Sequence, residues 1–151
     1  MNIDFSIIWI FIPIFFGMLL GGIGRPDDWY KKLKKPTYNP PNYIFGIVWP
    51  ILYLMIGLSI YLGIKGRTDL FIYILIISHL ILNFSYSPLF FYFKQILISS
   101  IITFLVLITA LWIIYEFFKT KKYISIYLFI PYIIWLSFAN YLSWSIYILN
   151  K

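Results

Sequence analysis

The chain has no cysteine, a single histidine and only 5 acidic residues among 151. Without cysteine there is no disulfide framework, no thiolate metal site and no cysteine nucleophile. With His79 alone, bis-histidine ligation of haem within one chain is excluded. The acids are Asp4, Asp27, Asp28, Asp69 and Glu116. All fall in links or near the ends of apolar runs, so no carboxylate pair is expected at depth for acid–base work. No glycine-rich phosphate loop follows a strand pattern, and no serine has a plausible His–Asp partner set. Charge of either sign is scarce: 11% of residues are charged and 62% hydrophobic, where a soluble domain has about 25% and about 45–50%. So little charge cannot cover a water-facing surface. The solvent for most of this chain is therefore lipid.

The net charge of +7 does not point to nucleic acid. The lysines and arginines sit in short clusters between apolar runs, as membrane proteins place them against headgroups and in loops. The first apolar run reads as a retained helix rather than a cleaved signal: its first charge is Asp4, and no cleavage site is evident between Gly17 and Gly24.

A span needs about 20 apolar residues. The runs long enough lie at roughly Phe5 to Ile23, Tyr43 to Ile64, Leu70 to Tyr92, Ile96 to Phe118 and Ile124 to Leu149. In lipid the backbone must satisfy its own hydrogen bonds, so these are helices. A β-barrel would alternate polar and apolar positions, which these runs do not. The expected fold is all-α, a single domain over residues 1–151 with five transmembrane helices in a multi-pass integral membrane protein. An odd number of spans argues against a transporter built from equal inverted halves.

Most connections are short. The link from Gly24 to Asn42 is not, and loops longer than about 12–15 residues are usually functional or disordered. This one carries Trp29, Tyr30 and Tyr38, which argues for packing, as a cap over a binding pocket. Basic residues on its side of the membrane are Arg25, Lys31, Lys32, Lys34, Lys35, Lys94 and Lys151, against Lys65, Arg67, Lys119, Lys121 and Lys122 on the other. The difference is too small to fix orientation.

Pro36, Pro40 and Pro41 hold the chain extended and start the second helix at Pro41 or just after, where proline is tolerated. Phe45, Trp49 and Tyr53 then repeat every four residues and form one aromatic stripe. On the fifth run Tyr132, Trp135 and Ala139 share a helical face. Facing one another, these two stripes predict a flat-walled slot with a small residue at its floor, suited to a planar ring system. The competing reading is ordinary bundle packing or an interfacial belt. That reading is preferred for Trp9, Trp112 and Trp144, but Trp49 and Trp135 lie too deep for a belt. His79 and Asn83, one turn apart in the third run, are costly at membrane depth and are expected to face the interior or a cavity. A lone intramembrane histidine is more often hydrogen-bonded than ligating. Gly17 and Gly21 form a G-x-x-x-G that serves either a homodimer or packing within the chain.

Three segments carry a family resemblance. Lys35-Pro-Thr-Tyr-Asn-Pro-Pro-Asn-Tyr-Ile-Phe-Gly-Ile-Val-Trp49-Pro-Ile-Leu-Tyr53-Leu-Met55 resembles the signature of the translocator protein, or tryptophan-rich sensory protein (TspO/MBR), family. His79-Leu-Ile-Leu-Asn83-Phe-Ser-Tyr86-Ser-Pro-Leu-Phe90-Phe91 and Pro131-Tyr132-Ile-Ile-Trp135-Leu-Ser-Phe138-Ala139 are similar to two further family segments. Tyr38 and Tyr86 stand where the family usually has tryptophan, and His79 where it usually has glutamine.

The resemblance implies a bacterial-type membrane receptor or sensor, localised to the bacterial cell membrane. It would bind porphyrins, protoporphyrin IX or haem among them, and other planar lipophiles inside the bundle, and form a homodimer. Its ligand-binding set would be Tyr38, Pro41, Phe45, Trp49, Tyr53, His79, Asn83, Tyr86, Phe90, Tyr132, Trp135 and Ala139. No obligatory cofactor and no protein metal site is implied. Two other readings stand beside it. One is a light-dependent porphyrin-degrading enzyme with Trp49 or Trp135 as redox partner. The other is a transporter of porphyrin or sterol-like ligands, for which little beyond His79 and Asn83 would line a polar path.

Overall fold

A computed structural model describes residues 5–23 and 26–151. Arg25 and the start of the link at Gly24 lie outside the described residues. No strand occurs among the described residues. A 3₁₀ turn, Phe5–Ile7, leads into helix α1, Ile8–Ile23; a short α2, Asp28–Lys32, sits in the link; then come α3, Asn42–Ile64, α4, Leu70–Ser87, α5, Ile96–Lys119, and α6, Tyr123–Asn150.

Four helical stretches are long and apolar enough to cross a membrane, α4 reaching that length together with the π-helical turn that extends it over Pro88–Tyr92. The first helix is shorter than the expected span. Its 16 residues cover about 24 Å at 1.5 Å each. A bundle of four long apolar helices and one shorter one is therefore what the structure establishes, rather than five full-length spans.

The five apolar helices close into a ring. α1 packs on α3, α3 on α6, α6 on α5, α5 on α4, and α4 returns to α1. Lipid supplies no hydrophobic drive between helices, so contact depends on close packing and interhelical hydrogen bonds. Both are present. A Cβ on Gly57 of α3 would run into the carbonyl oxygen of Ile10 on α1, so α1 and α3 touch backbone to backbone. Between α5 and α6, the Ser100 and Ser143 hydroxyls lie 2.9 Å apart and Asn140 Nδ2 donates to the Thr103 carbonyl at 3.0 Å.

The two halves of the ring differ. In the half away from the link, Ile56, Ile60, Ile72, Ile76, Ile113, Phe117 and Phe129 are almost fully buried and fill the centre. Toward the link the centre is hollow. The link is tied across that hollow end at several points. Asp27 caps α2 by accepting from the Tyr30 N–H at 2.9 Å, and Lys94 lies 3.4 Å from its carboxylate. That N–H, with Lys94 beside it, holds Asp27 below the ordinary carboxylate range. The Tyr30 ring packs on Phe90 and Phe91. Lys35 Nζ donates to the Tyr30 carbonyl at 2.6 Å. Asn150, at the end of α6, accepts from the Lys34 N–H at 3.0 Å and donates to the Lys34 carbonyl at 2.8 Å.

Gly57→Ala should lower the melting temperature in detergent, by an amount equivalent to about 1–3 kcal/mol for a small-to-large change at a packed site. Gly46→Ala, where an added Cβ meets nothing within 4 Å, should leave it unchanged or raise it. Equal melting temperatures for Gly57→Ala and the parent would contradict the close approach.

Candidate functional site

Local sequence shapes the hollow end. Pro50, inside α3, has no N–H, so the carbonyl of Gly46 lacks its helical donor; both residues line the cavity. Pro88 similarly interrupts α4, and the chain continues as a π turn closed by the Phe93 N–H on the Pro88 carbonyl at 3.0 Å. That turn drives Phe90 inward, where it is 1% exposed and stacks on Tyr86 with centroids 5.6 Å apart. π turns inside helices occur frequently at functional sites.

The cavity has a volume of about 430 Å³, within the usual range of about 300–1,000 Å³ for ligand sites. All five apolar helices contribute to it, together with Pro26, Tyr30 and Asn39 of the link. Its principal wall is aromatic. Trp49 and Tyr53 stack with centroids 5.3 Å apart and 29° between planes, and Phe45 continues the same stripe one turn earlier. The Tyr53 ring is held from behind by α1, where a Cβ on Gly17 would collide with it. Ala139 lines the opposite side, with Leu136 and Leu142 of the same helix.

Behind this wall runs a chain of hydrogen bonds. The Tyr53 hydroxyl donates to Asn83 Oδ1 at 3.4 Å, and Asn83 Nδ2 donates to the Tyr132 oxygen at 2.7 Å. The Tyr132 oxygen lies 3.1 Å from His79 Nε2, and His79 Nδ1 lies 2.8 Å from Thr109 Oγ1. Thr109 Oγ1 in turn sits 3.0 Å from the Leu105 and Val106 carbonyls. Those carbonyls only accept, so the threonine proton is used there and Thr109 must accept from His79 Nδ1–H. His79 is then the neutral Nδ1–H form, with Nε2 accepting the Tyr132 proton. Every link has one donor and one acceptor, and no charge is needed.

The sequence-predicted residues divide accordingly. Phe45, Trp49, Tyr53, Asn83, Tyr86, Phe90 and Ala139 line the cavity. Tyr132 and His79 do not: both are fully buried in the second layer, with the histidine bonded at both nitrogens. Trp135 is also absent from the lining. It packs edge-on against Phe45 at 5.7 Å and so supports the wall from outside. The slot is therefore not made by Trp49 and Trp135 facing each other, because α6 turns Ala139, rather than Trp135, to the interior. Tyr38 is 76% exposed and Pro41 is the residue preceding α3; neither reaches the cavity. Several lining residues escaped the sequence reading. Gly17 and Gly21 line the interior wall of α1. Thr103 and Val106 come from α5, where the buried Ser99, Ser100 and Thr103 form a polar stripe at helical spacing that could have marked the inward face.

Tyr132→Phe removes the central hydroxyl and strands both Asn83 Nδ2 and His79 Nε2. It should lower stability by about 1 kcal/mol or more, whereas Tyr53→Phe, which removes only the long terminal bond, should cost less. Thermal melts of the two variants side by side check this; the reverse order would contradict the chain of donors.

The chain resembles known proteins along almost its whole length. The model of the TspO/MBR family matches residues 7–149. The tryptophan-rich protein TspO of Bacillus cereus is 35% identical over 81% of this chain and 80% of its own length. The tryptophan-rich sensory protein of Cereibacter sphaeroides is 27% identical over 99% of this chain and 95% of its own. The human translocator protein is 29% identical over 82% and 76% respectively. With a lipid-suited helical ring, an aromatic cavity at one end and a match of this extent, the chain belongs to the TspO/MBR family and is an integral, multi-pass membrane protein.

Proposed function

We propose that this protein is a membrane receptor or sensor that binds porphyrins and other planar lipophiles in the cavity at the link end of the ring. The observation that carries this reading is the wall formed by Phe45, Trp49 and Tyr53, a flat aromatic surface lining about 430 Å³ of largely apolar space. Offset stacking on such a surface contributes about 0.5–1.5 kcal/mol per aromatic contact beyond burial. Ala139, a small side chain in the same lining, takes up little of that space. The Gly46 carbonyl and the Tyr53 oxygen are available as acceptors for a ligand N–H or O–H. The name of one relative, a tryptophan-rich sensory protein, agrees with the sensor part of this reading.

The porphyrin ring fits these walls better than its iron would. His79 has both ring nitrogens engaged and is 0% exposed, so it offers no free axial ligand. Iron-free protoporphyrin IX and haem should therefore bind with similar affinity, and bound haem should lack the spectrum of an axial histidine. A pairing of two copies would have to use a face other than Gly17 and Gly21, which point inward. Five crossings, the shorter α1 included, complete the proposal and place the two termini on opposite sides.

Titration with protoporphyrin IX, followed by quenching of tryptophan fluorescence, tests the site. Ala139→Leu should weaken binding about tenfold, equivalent to about 1.4 kcal/mol, with the melting temperature retained. Trp112→Phe, on the outer surface of α5, should not change affinity. Unchanged affinity in Ala139→Leu together with a collapsed melting temperature would make Ala139 a packing residue and remove the ligand from this cavity. For the crossings, the absence of cysteine permits labelling of Asn2→Cys and Lys151→Cys singly in intact cells. Only one of the two should react with an impermeant maleimide; equal reaction would reduce the number of crossings to an even one.

A further inference from the structure

We propose that the end of the bundle opposite the link carries a binding site for a phosphate group, occupied by the headgroup phosphate of an anionic lipid. The loops there enclose a second recess, of about 280 Å³, between the end of α3 and the start of α6. Its floor is the first turn of α6. That helix has 28 residues, and Lys122 at its N-cap makes no side-chain cap bond. The leading N–H groups of a helix have no partner within it and carry the positive end of its dipole, which suits an anion.

A second observation points to a ligand. Ser125, in that first turn, lines the recess and is 1% exposed, yet its hydroxyl has no hydrogen-bond partner. Ser59 reaches the same residue but bonds its carbonyl, at 2.7 Å, not its hydroxyl. Buried hydroxyls are normally bonded; a phosphate oxygen over the helix start would supply the missing acceptor.

The charges agree. Of the basic residues at this end, Arg67 pairs with Asp69 and Glu116, and Lys119 pairs with Glu116. The three lysines that line the recess, Lys65, Lys121 and Lys122, make no salt bridge among the described residues. Lys122 Nζ donates to the Lys65 carbonyl at 2.8 Å, which joins the two loops across the recess. Lys121 adopts a left-handed conformation, φ 56°, in the turn that precedes α6. The remaining lining is Leu62, Tyr123 and Ile124, the last 68% exposed. Lysines above an apolar, outward-facing wall match a phosphodiester with acyl chains beneath it better than they match a free ion. This site lies at the other end of the bundle from the aromatic cavity and does not depend on what that cavity binds.

The test uses the purified full chain in neutral detergent, with thermal shift and native mass spectrometry as readouts. The probes are dioctanoyl phosphatidylglycerol, dioctanoyl phosphatidylcholine and inorganic phosphate. Phosphatidylglycerol should bind and raise the melting temperature more than phosphatidylcholine does. Lys65→Gln with Lys121→Gln should weaken its binding about thirtyfold, the loss expected for two lysines at an anionic surface. Ser125→Ala should weaken it about fivefold without lowering the melting temperature of the lipid-free protein, since it removes no existing bond. Lys32→Gln with Lys34→Gln, at the link end, should change nothing. Equal binding of phosphatidylglycerol by the parent, the double lysine variant and Ser125→Ala would overturn the site. Saturation by inorganic phosphate at the same affinity and with the same variant dependence would overturn the lipid as its occupant. Should the double lysine variant fail to fold, Ser125→Ala decides alone.

Discussion

The structure depends most on the hydrogen-bonded chain from Tyr53 through Asn83, Tyr132 and His79 to Thr109. These residues belong to α3, α4, α6 and α5, so one continuous chain joins four of the five helices of the ring. Polar groups at such depth are costly unless every donor finds an acceptor. Here each does so without a charge, in one direction only. The chain also marks a boundary. Away from the link lie tightly packed isoleucines and phenylalanines; toward the link lies empty volume. The floor of the cavity is therefore the least adaptable part of the bundle. At that floor the Tyr53 hydroxyl proton and the Asn83 amide are already bonded within the chain.

The hollow end persists because the helices that form it are interrupted. Pro50 and the π turn after Ser87 both occur beside the cavity, and α1 contributes glycines rather than branched side chains. Without bulk in the middle, the helices are held apart by the aromatic groups of the wall and closed above by the link. The link in turn is held by bonds to the ends of other elements: Asn150 of α6 to Lys34, and Lys94 to Asp27. These are few and mostly exposed, whereas the opposite end is closed by buried packing and the Arg67–Glu116 pair. Exposed pairs of this kind contribute little each. The polar ties of the link are therefore weak, and its attachment rests mainly on the buried Tyr30 ring packed against Phe90 and Phe91.

Much of this was legible in the sequence. Scarce charge and long apolar runs imply lipid and helices, and the all-helical membrane bundle follows from them. The stripe Phe45, Trp49, Tyr53 needed only the helical period, because it starts at a proline-marked helix end and all three lie on the cavity side. The period alone does not give rotation, and this is where the reading of α6 departs from the structure. Tyr132, Trp135 and Ala139 share a face broad enough that its edges have different neighbours: the Tyr132 hydroxyl is drawn to His79 and Asn83, Trp135 lies outside against Phe45, and only Ala139 meets the cavity. A polar partner decides the angle, and the partner is on another helix. α1 falls short of its apolar run only at the start: Phe5–Ile7 form a 3₁₀ turn and the α-helix begins at Ile8, while its end at Ile23 agrees with the sequence reading.

The glycines of α1 also show how one sequence signal can serve a purpose other than its usual one. A G-x-x-x-G stripe in a membrane helix commonly lets another helix approach. Here the close approach of α1 to α3 occurs elsewhere, where Gly57 meets the backbone of Ile10. Gly17 instead receives the Tyr53 ring, and Gly21 faces open volume. The same small side chains therefore do two things in succession along α1: near its middle they let an aromatic ring lie flat, and one turn later they leave space beside it. A ring lodged against empty volume therefore arises from the first helix as much as from the tryptophans for which the family is named.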